Sequence, residues 1–226
     1  MQMLVLDNYI GLRYDIKSHN DKFEIYALND DPQQGNNLAG NPGMEMVARQ
    51  MQDKVLQIRR ADESAPRPYD VDQVPSVGEM DVKPGISWKS YTGSFLWVPD
   101  FSSLTPARSG TAVVPHPGAT SAKPGQAIGF SGYIKIPSDG EYLFSLSSDL
   151  GAFLRIHEIA LIDADYGYNA GTRISEKINL KAGLHPIRIH YLSKEGNQPN
   201  LTLEWSGPGF TNQPIPSSAF FHKEVN

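Results

Sequence analysis

His157–Glu158 opens like the His-Glu-x-x-His pattern, in which two imidazoles one helical turn apart hold a zinc ion, but Leu161 stands in the second ligand's place. A lone imidazole does not hold zinc, and the residues around it alternate as a strand does. Asp163–Ala164–Asp165 begins like a calcium loop. Gly167 and Tyr168 then displace its third ligand and its required glycine, and Ile174 replaces the closing glutamate. Gly129–Phe130–Ser131–Gly132–Tyr133 lacks the last glycine of a nucleophile elbow. The six histidines (His19, His116, His157, His185, His190, His222) are never closer than five residues apart. They read as solvated strand and loop residues rather than as ligands. Cysteine is absent, which excludes disulfides, zinc ribbons and thiolate nucleophiles. No glycine-rich phosphate loop occurs, and nothing pairs a nucleophile with a base. No catalytic residue is assigned, and no cofactor is expected.

Binding chemistry is the better prospect. The flat face of an aromatic ring matches the apolar C–H face of a sugar ring. Trp88, Trp97, Tyr166 and Tyr168 are the aromatics outside clear inward strand positions, and Tyr166–Gly167–Tyr168–Asn169 combines two rings with an amide on one loop. Lys and Arg number 20 against 25 Asp and Glu, for a net charge of −5 with no basic cluster, so a nucleic-acid partner is not expected. No apolar run approaches the ~18 residues of a membrane helix. Met1–Leu6 lacks a basic leader, so no signal peptide is read in this chain. Asn200–Leu201–Thr202 is an acceptor site only in a glycosylating host.

The elements that must hold these residues are mostly strands. With 20 glycines, 17 prolines and 10% aromatics, the composition favours short strands joined by turns. Nine of the prolines fall between Pro66 and Pro124, where regular helix and central strand are excluded. Before them, Met3, Val5, Ile10, Leu12, Tyr14 and Ile16 alternate, with Phe23 and Ile25 answering across His19–Asn20–Asp21, which reads as a hairpin. From Gly43 the period changes: Met44, Val47, Met51, Val55 and Ile58 make one helical stripe, read as packing, that ends by Asp62–Arg67. After the prolines, period-two sets recur. Phe130–Ile136, Tyr142–Leu146, Leu154–Ile156, Ile159–Leu161, Ile174–Leu180, Ile187–Tyr191 and Leu201–Trp205 are separated by turns such as Ser138–Asp139–Gly140. The expectation is a mainly β chain: an α+β subdomain over 1–62, a Pro-rich linker over 63–84, and an antiparallel β-sandwich over 85–226.

Two family resemblances sharpen this. Residues 23–39, with Tyr26, Leu28, Asp31, Pro32, Asn37 and Leu38 in order and Gln34 where Glu is usual, resemble the C-terminal signature of the sulfatase family. There a strand, an Asn-Asp-Pro turn, Asn-Leu and a helix follow one another. That family oxidises the first residue of a Cys/Ser-x-Pro-Ser/Ala-Arg motif to formylglycine. Leu104–Thr105–Pro106–Ala107–Arg108 imitates the motif with a leucine that offers nothing to oxidise, and on the wrong side of the signature. The family's large catalytic domain has no counterpart here, so the resemblance implies a covalent partner domain elsewhere.

Residues from about Gly85 to His222 resemble the protective-antigen (PA-fourteen) domain. The likeness rests on Phe130–Ile134, Pro137–Phe144, Ser147–Asp149, Ala160–Asp163, Leu180–Ile187 and Leu203–Gly209. In adhesins of that family, two adjacent aspartates bind the calcium ion that holds sugar hydroxyls. Asp149 keeps the first position and Leu150 replaces the second, so Asp149 is a weak calcium candidate and no metal is expected. The two resemblances together imply the C-terminal part of a bacterial sulfatase-like protein, extracellular or periplasmic. Its sandwich would meet a glycan or sulfated polysaccharide through Tyr166, Tyr168, Asn169 or Asp149. A free-standing adhesin and a ligand-free spacer stay open as alternatives.

Overall fold

The computed structural model describes residues 1–120, 123–196 and 198–224. It divides the chain into two compact units, Met1–Pro75 and Ser76–Asn226.

In the first unit, β1 (Gln2–Leu6), β2 (Tyr9–Arg13) and β3 (Glu24–Ala27) form an antiparallel sheet in the order β1-β2-β3. The expected hairpin therefore has three strands. Helix α1 (Met44–Gln57) starts at Gly43, whose φ of 90° only glycine adopts easily, and the Glu45 carboxylate accepts the Gly43 N–H at 3.0 Å. The stripe packs as its spacing predicts. Met51 and Val55 are fully buried against Leu4, Phe23 and Ile25, while Met44, Val47 and Ile58 are partly buried at its margins. Gly11 makes the fit possible, because a methyl group there would lie 2.5 Å from the Met51 sulfur. Met3 and Val5 point to the opposite face and stay exposed, as does Tyr14 just past the strand.

The stretch after the helix joins this core. Arg67 donates to the Val55 and Arg59 carbonyls, each at 3.0 Å, and so satisfies the open end of α1. Tyr69 is 2% exposed, and the Arg13 guanidinium lies over both the Phe23 and Tyr69 rings. Of the residues read as linker, those up to Pro75 thus belong to the first unit, and those from Ser76 to the second.

The second unit is a sandwich of two antiparallel sheets. Its strands are β4 (Lys83–Pro84), β5 (Ile86–Tyr91), β6 (Arg108–Ala112), β7 (Ala127–Ile136), β8 (Gly140–Ser148), β9 (Gly151–Ile156), β10 (Ile159–Ala164), β11 (Ile174–Leu180), β12 (Gly183–Leu192), β13 (Leu201–Gly207), β14 (Phe210–Pro214) and β15 (Phe220–His222). The larger sheet runs β10-β9-β12-β7-β15-β4, with β5 also on β7 and β6 on β5; the smaller runs β11-β8-β13-β14. The inward sets meet between the sheets: Phe130, Ile134, Leu154, Ile187, Ile189 and Tyr191 face Tyr142, Phe144, Leu180 and Trp205, all nearly or fully buried. In β10 the alternation fails at a bulge. A register shift between Ala160 and Ile162 buries both Leu161 and Ile162.

Candidate ligand-binding site

The strand registers bring one set of connections to the same end of the sandwich. Tyr91 pairs with Ala127, Ala127 with Leu192, Leu192 with Gly151, and Ala152 with Ala164; in the other sheet Ser148 pairs with Leu201 and Leu146 with Ile174. The loops over 92–107, 149–150, 165–173 and 193–200 therefore leave the sandwich together. Asp149, Tyr166, Tyr168 and Asn169, the residues read from the sequence as a binding site, lie on these loops.

Asp149 is consumed by the protein itself. Its Oδ1 accepts from the Tyr191 hydroxyl and from the Asn200 N–H at 3.1 Å, and its Oδ2 accepts from the Lys194 N–H at 2.8 Å. The carboxylate ties both ends of the 193–200 loop to the floor of the sandwich. Burial first, then the bond to Asp149, pushes the Tyr191 phenol far above its ordinary pKa, so it remains a donor. Leu150, where the second aspartate of calcium-binding relatives would stand, packs against an apolar cluster of Tyr91, Val98, Ala127 and Leu192. A calcium ion wants six to eight oxygens. Here one carboxylate is engaged by three donors and the adjacent side chain has no oxygen, so the residues do not fit the ion. Among the described residues no three His, Cys, Asp or Glu side chains gather as ligands.

Tyr168 is a pin as well. Its hydroxyl accepts the Ser148 N–H at 3.1 Å and lies 2.5 Å from the Thr172 carbonyl, to which it donates. It closes the 165–173 loop on itself and is half-buried. Asn169 is exposed, and its carbonyl receives the Thr172 N–H and hydroxyl. Tyr166 is 98% exposed at the tip.

Sequence reasoning ranked the 92–107 loop too low. Leu96 and Trp97 protrude from it, 84% and 60% exposed, while the residues beside them are fixed. The Val98 N–H donates to both oxygens of Asp165, each at 3.2 Å, and Val98 itself is buried. Further along, the Phe101 ring stacks on Tyr91 with centroids 4.5 Å apart and planes 8° from parallel, and it touches the His190 ring at 4.5 Å. Gly129 leaves room beneath it, since a methyl group there would come within 3.0 Å of the ring. Burial pushes the Asp165 carboxyl up, against the pull of the Val98 N–H, and Asp163 adds to the rise. Because Trp97 precedes Val98 and Tyr166 follows Asp165, this bidentate contact ties together the two loop segments that carry the exposed rings. The recoverable signal was Phe95–Leu96–Trp97, three large apolar residues in a proline-rich loop.

Two readings need correction. Trp88 is a core residue, 7% exposed on β5, where its indole fills the space above Gly110. His157 and His185 are not solvated: they are 5% and 0% exposed, at the end of the sandwich opposite these loops. His157 takes a left-handed turn (φ 51°) after β9, which aims its Nε2 at His185 Nδ1, 2.9 Å away. The other nitrogen of His185 lies 2.8 Å from the Lys181 carbonyl, which only accepts, so His185 carries its proton there. Burial pushes its pKa down, and the neutral ring accepts from His157. A cavity of about 200 Å³ between Val114–His116, Leu201–Leu203, Pro214, Ile215 and Phe220 is mainly apolar, with His116 as the ionisable side chain in its lining.

The comparisons give the family. The PA14 domain model matches residues 83–219, more than half of the sequence, and the chain belongs to the PA14 domain family. Solved structures share the fold: the PA14 sugar-binding domain from an RTX adhesin (TM-score 0.52, 13% identity, 62% of this chain and 99% of that one) and the PA14 domain of the MpAFP antifreeze protein (0.51, 14%, 65% and 95%). An anti-sigma factor domain-containing protein from Clostridium clariflavum is similar at TM-score 0.51 and 23% identity over 62% of this chain. The alignment spans only 48% of that protein, about half its length. No curated protein matches the chain by sequence.

Proposed function

We propose that the second unit binds glycan through the Leu96–Trp97 and Tyr166 end, as a non-catalytic module of a larger sulfatase-like protein. The observation that carries the binding reading is the pair of exposed aromatic tips on loops held from below by Asp165, Phe101 and Tyr168. An exposed ring on an anchored loop loses little freedom when a sugar stacks on it, so more of the contact energy appears as affinity. The fold's sugar-binding neighbour from an RTX adhesin supports the same reading. A glycan array probed with the whole chain and with Trp97→Ala and Tyr166→Ala tests it: signal on a defined glycan that both substitutions abolish is expected, and signal indifferent to both rejects the site.

The sulfatase parentage rests on the first unit. The residues carrying the resemblance build its turn: Asp31 accepts the Gly35 and Asn36 N–H groups at 2.9 and 2.8 Å, and Asn37 accepts those of Ile25 and Ala39 at 3.0 Å. The exposed apolar face of Met3 and Val5, with Tyr14 just beyond it, is what a unit leaning on a larger domain would show. In this reading the protein works outside the cytoplasm, extracellular or periplasmic, and the module holds the polymer while a separate domain hydrolyses it. Genomic sequence upstream of Met1 decides this: a Cys/Ser-x-Pro-Ser/Ala-Arg motif within an α/β pattern is expected, and its absence leaves an adhesin-like or spacer protein. Among the described residues no helix is long and apolar enough to cross a membrane.

A further inference from the structure

We infer that the β8–β9 joint is a metal-free replacement for a calcium site, and that the end it supports takes the apolar face of a neutral glycan rather than a sulfated one. The inference rests on the glycan-binding reading for its ligand, but its structural half stands apart. A metal-centred site needs carboxylate oxygens turned outward to the ion. Asp149 instead accepts three protein donors, two of them backbone N–H groups of the loop that would have to move for the oxygens to be freed. Leu150 lies in the same apolar cluster as Val98, the residue whose N–H is bound by Asp165. Replacing a carboxylate by leucine thus removed a ligand and supplied the hydrophobic foot of the 92–107 loop. The joint is closed further at Gly151, where a methyl group would lie 2.5 Å from Asp165 Oδ1 and 3.2 Å from a Val98 methyl. Three chain segments, at Val98, Gly151 and Asp165, meet there.

Charge selects the ligand. Asp165 immediately precedes Tyr166 and Asp163 lies three residues before it, while Asp100 lies three residues past Trp97. Of the cations at this end, Arg173 is engaged by Glu204 at 3.1 Å and by Asn212 at 2.5 Å, while Lys194 and Arg108 are exposed on the 193–200 and 92–107 sides. Sulfate esters brought to these rings meet carboxylates, whereas a pyranose with contiguous C–H groups meets rings and acceptors for its hydroxyls. A module that grips unsulfated stretches would tether an enzyme to its polymer without competing for the sulfate it cleaves.

The test is calorimetric, on the full chain. Calcium chloride is titrated alone into the protein. Separately, β-1,3-gluco-oligosaccharide, galactan and chondroitin sulfate are titrated in chelator and in millimolar calcium. Expected are no saturable calcium uptake, and binding of a neutral probe that is unchanged by chelator and weakened about tenfold in Trp97→Ala with the melting temperature unaltered. Saturable calcium uptake that disappears in Asp149→Ala overturns the metal-free joint. Binding of the sulfated probe alone overturns the ligand class. If no probe binds in any arm, the glycan reading and the ligand class fail together, while the calcium titration still decides the joint by itself.

Discussion

Asp149→Ala is the substitution that most sharply separates a structural joint from a vacant metal ligand. The carboxylate accepts three hydrogen bonds, from the Tyr191 hydroxyl and the Lys194 and Asn200 amides. Bonds to a charged acceptor contribute about 1.5–3 kcal/mol each in net terms. The two amides lie on exposed residues and recover water when the carboxylate is removed. Tyr191 is 0% exposed and does not, so its hydroxyl is left unsatisfied at a cost of about 1–3 kcal/mol. The sum expected is about 3 kcal/mol, which for a unit of this size lowers Tm by roughly 6–12 °C. Asp149→Asn keeps one acceptor for Tyr191 but turns an N–H₂ toward the amide that the other oxygen served, and falls between. Urea denaturation in chelator and in calcium reads both variants. A loss under about 1 kcal/mol in chelator refutes the joint. So does a loss that appears only when calcium is present, since the wild-type advantage would then come from a bound ion.

Trp88→Ala should cost about 3–5 kcal/mol and Trp97→Ala less than about 0.5, because only the first ring is buried; equal losses by denaturant titration would show the loop tip to be packed. Acid should destabilise the sandwich through His190, which burial, then Arg188 and Arg155, hold down to about 4 against Asp100. An unfolded histidine binds its proton near 6.5, so stability is complete above that pH and is lost as pH falls from about 6.5 to 4, by up to about 3 kcal/mol. His190→Phe should flatten that slope, and a variant with the wild-type slope would place the acid sensitivity elsewhere. Residues 76–226 alone should keep a cooperative melt. Residues 1–62 should not, since they lack Tyr69 and Arg67; a cooperative monomeric melt of 1–62 would show that neither residue closes that core.

What the sequence disclosed and what it hid follow from the range of each interaction. Period two marked the sandwich strands because one side of each faces a core, and the three-and-four stripe marked α1 because Met51 and Val55 must reach one sheet face. The part played by Tyr69 was hidden, because a proline-rich stretch looks the same whether it wanders or closes a core 56 residues from its partner Arg13. The histidine pair was hidden for a similar reason. His157 and His185 are 28 residues apart and meet only through the β9–β12 pairing. The ring-bearing residues of the 165–173 loop were legible as types, but not which ring was free. Tyr166 and Tyr168 differ by two positions, and only the backbone path decides that one hydroxyl is pinned to Ser148 and Thr172 while the other side chain stands in water.

Leu150 shows how a binding end can change its chemistry without changing its fold. A calcium ion in such a site does two jobs: it holds loops together, and it presents positive charge to sugar hydroxyls. The first job passes here to Asp149, which draws in the 193–200 loop, and to the apolar cluster around Val98, which seats the 92–107 loop. For the second job, Asp163, Asp165 and Asp100 lie near the rings in sequence, and Lys194 and Arg108 are the exposed cations at the same end. On the glycan reading proposed above, an end without the ion's charge draws its affinity from dispersion and from the release of water from apolar surface, and that favours large flat rings at the tips. Trp97 and Tyr166 are exposed rings that fit this requirement, and the Val98 N–H bound to Asp165 ties together the chain segments beside them.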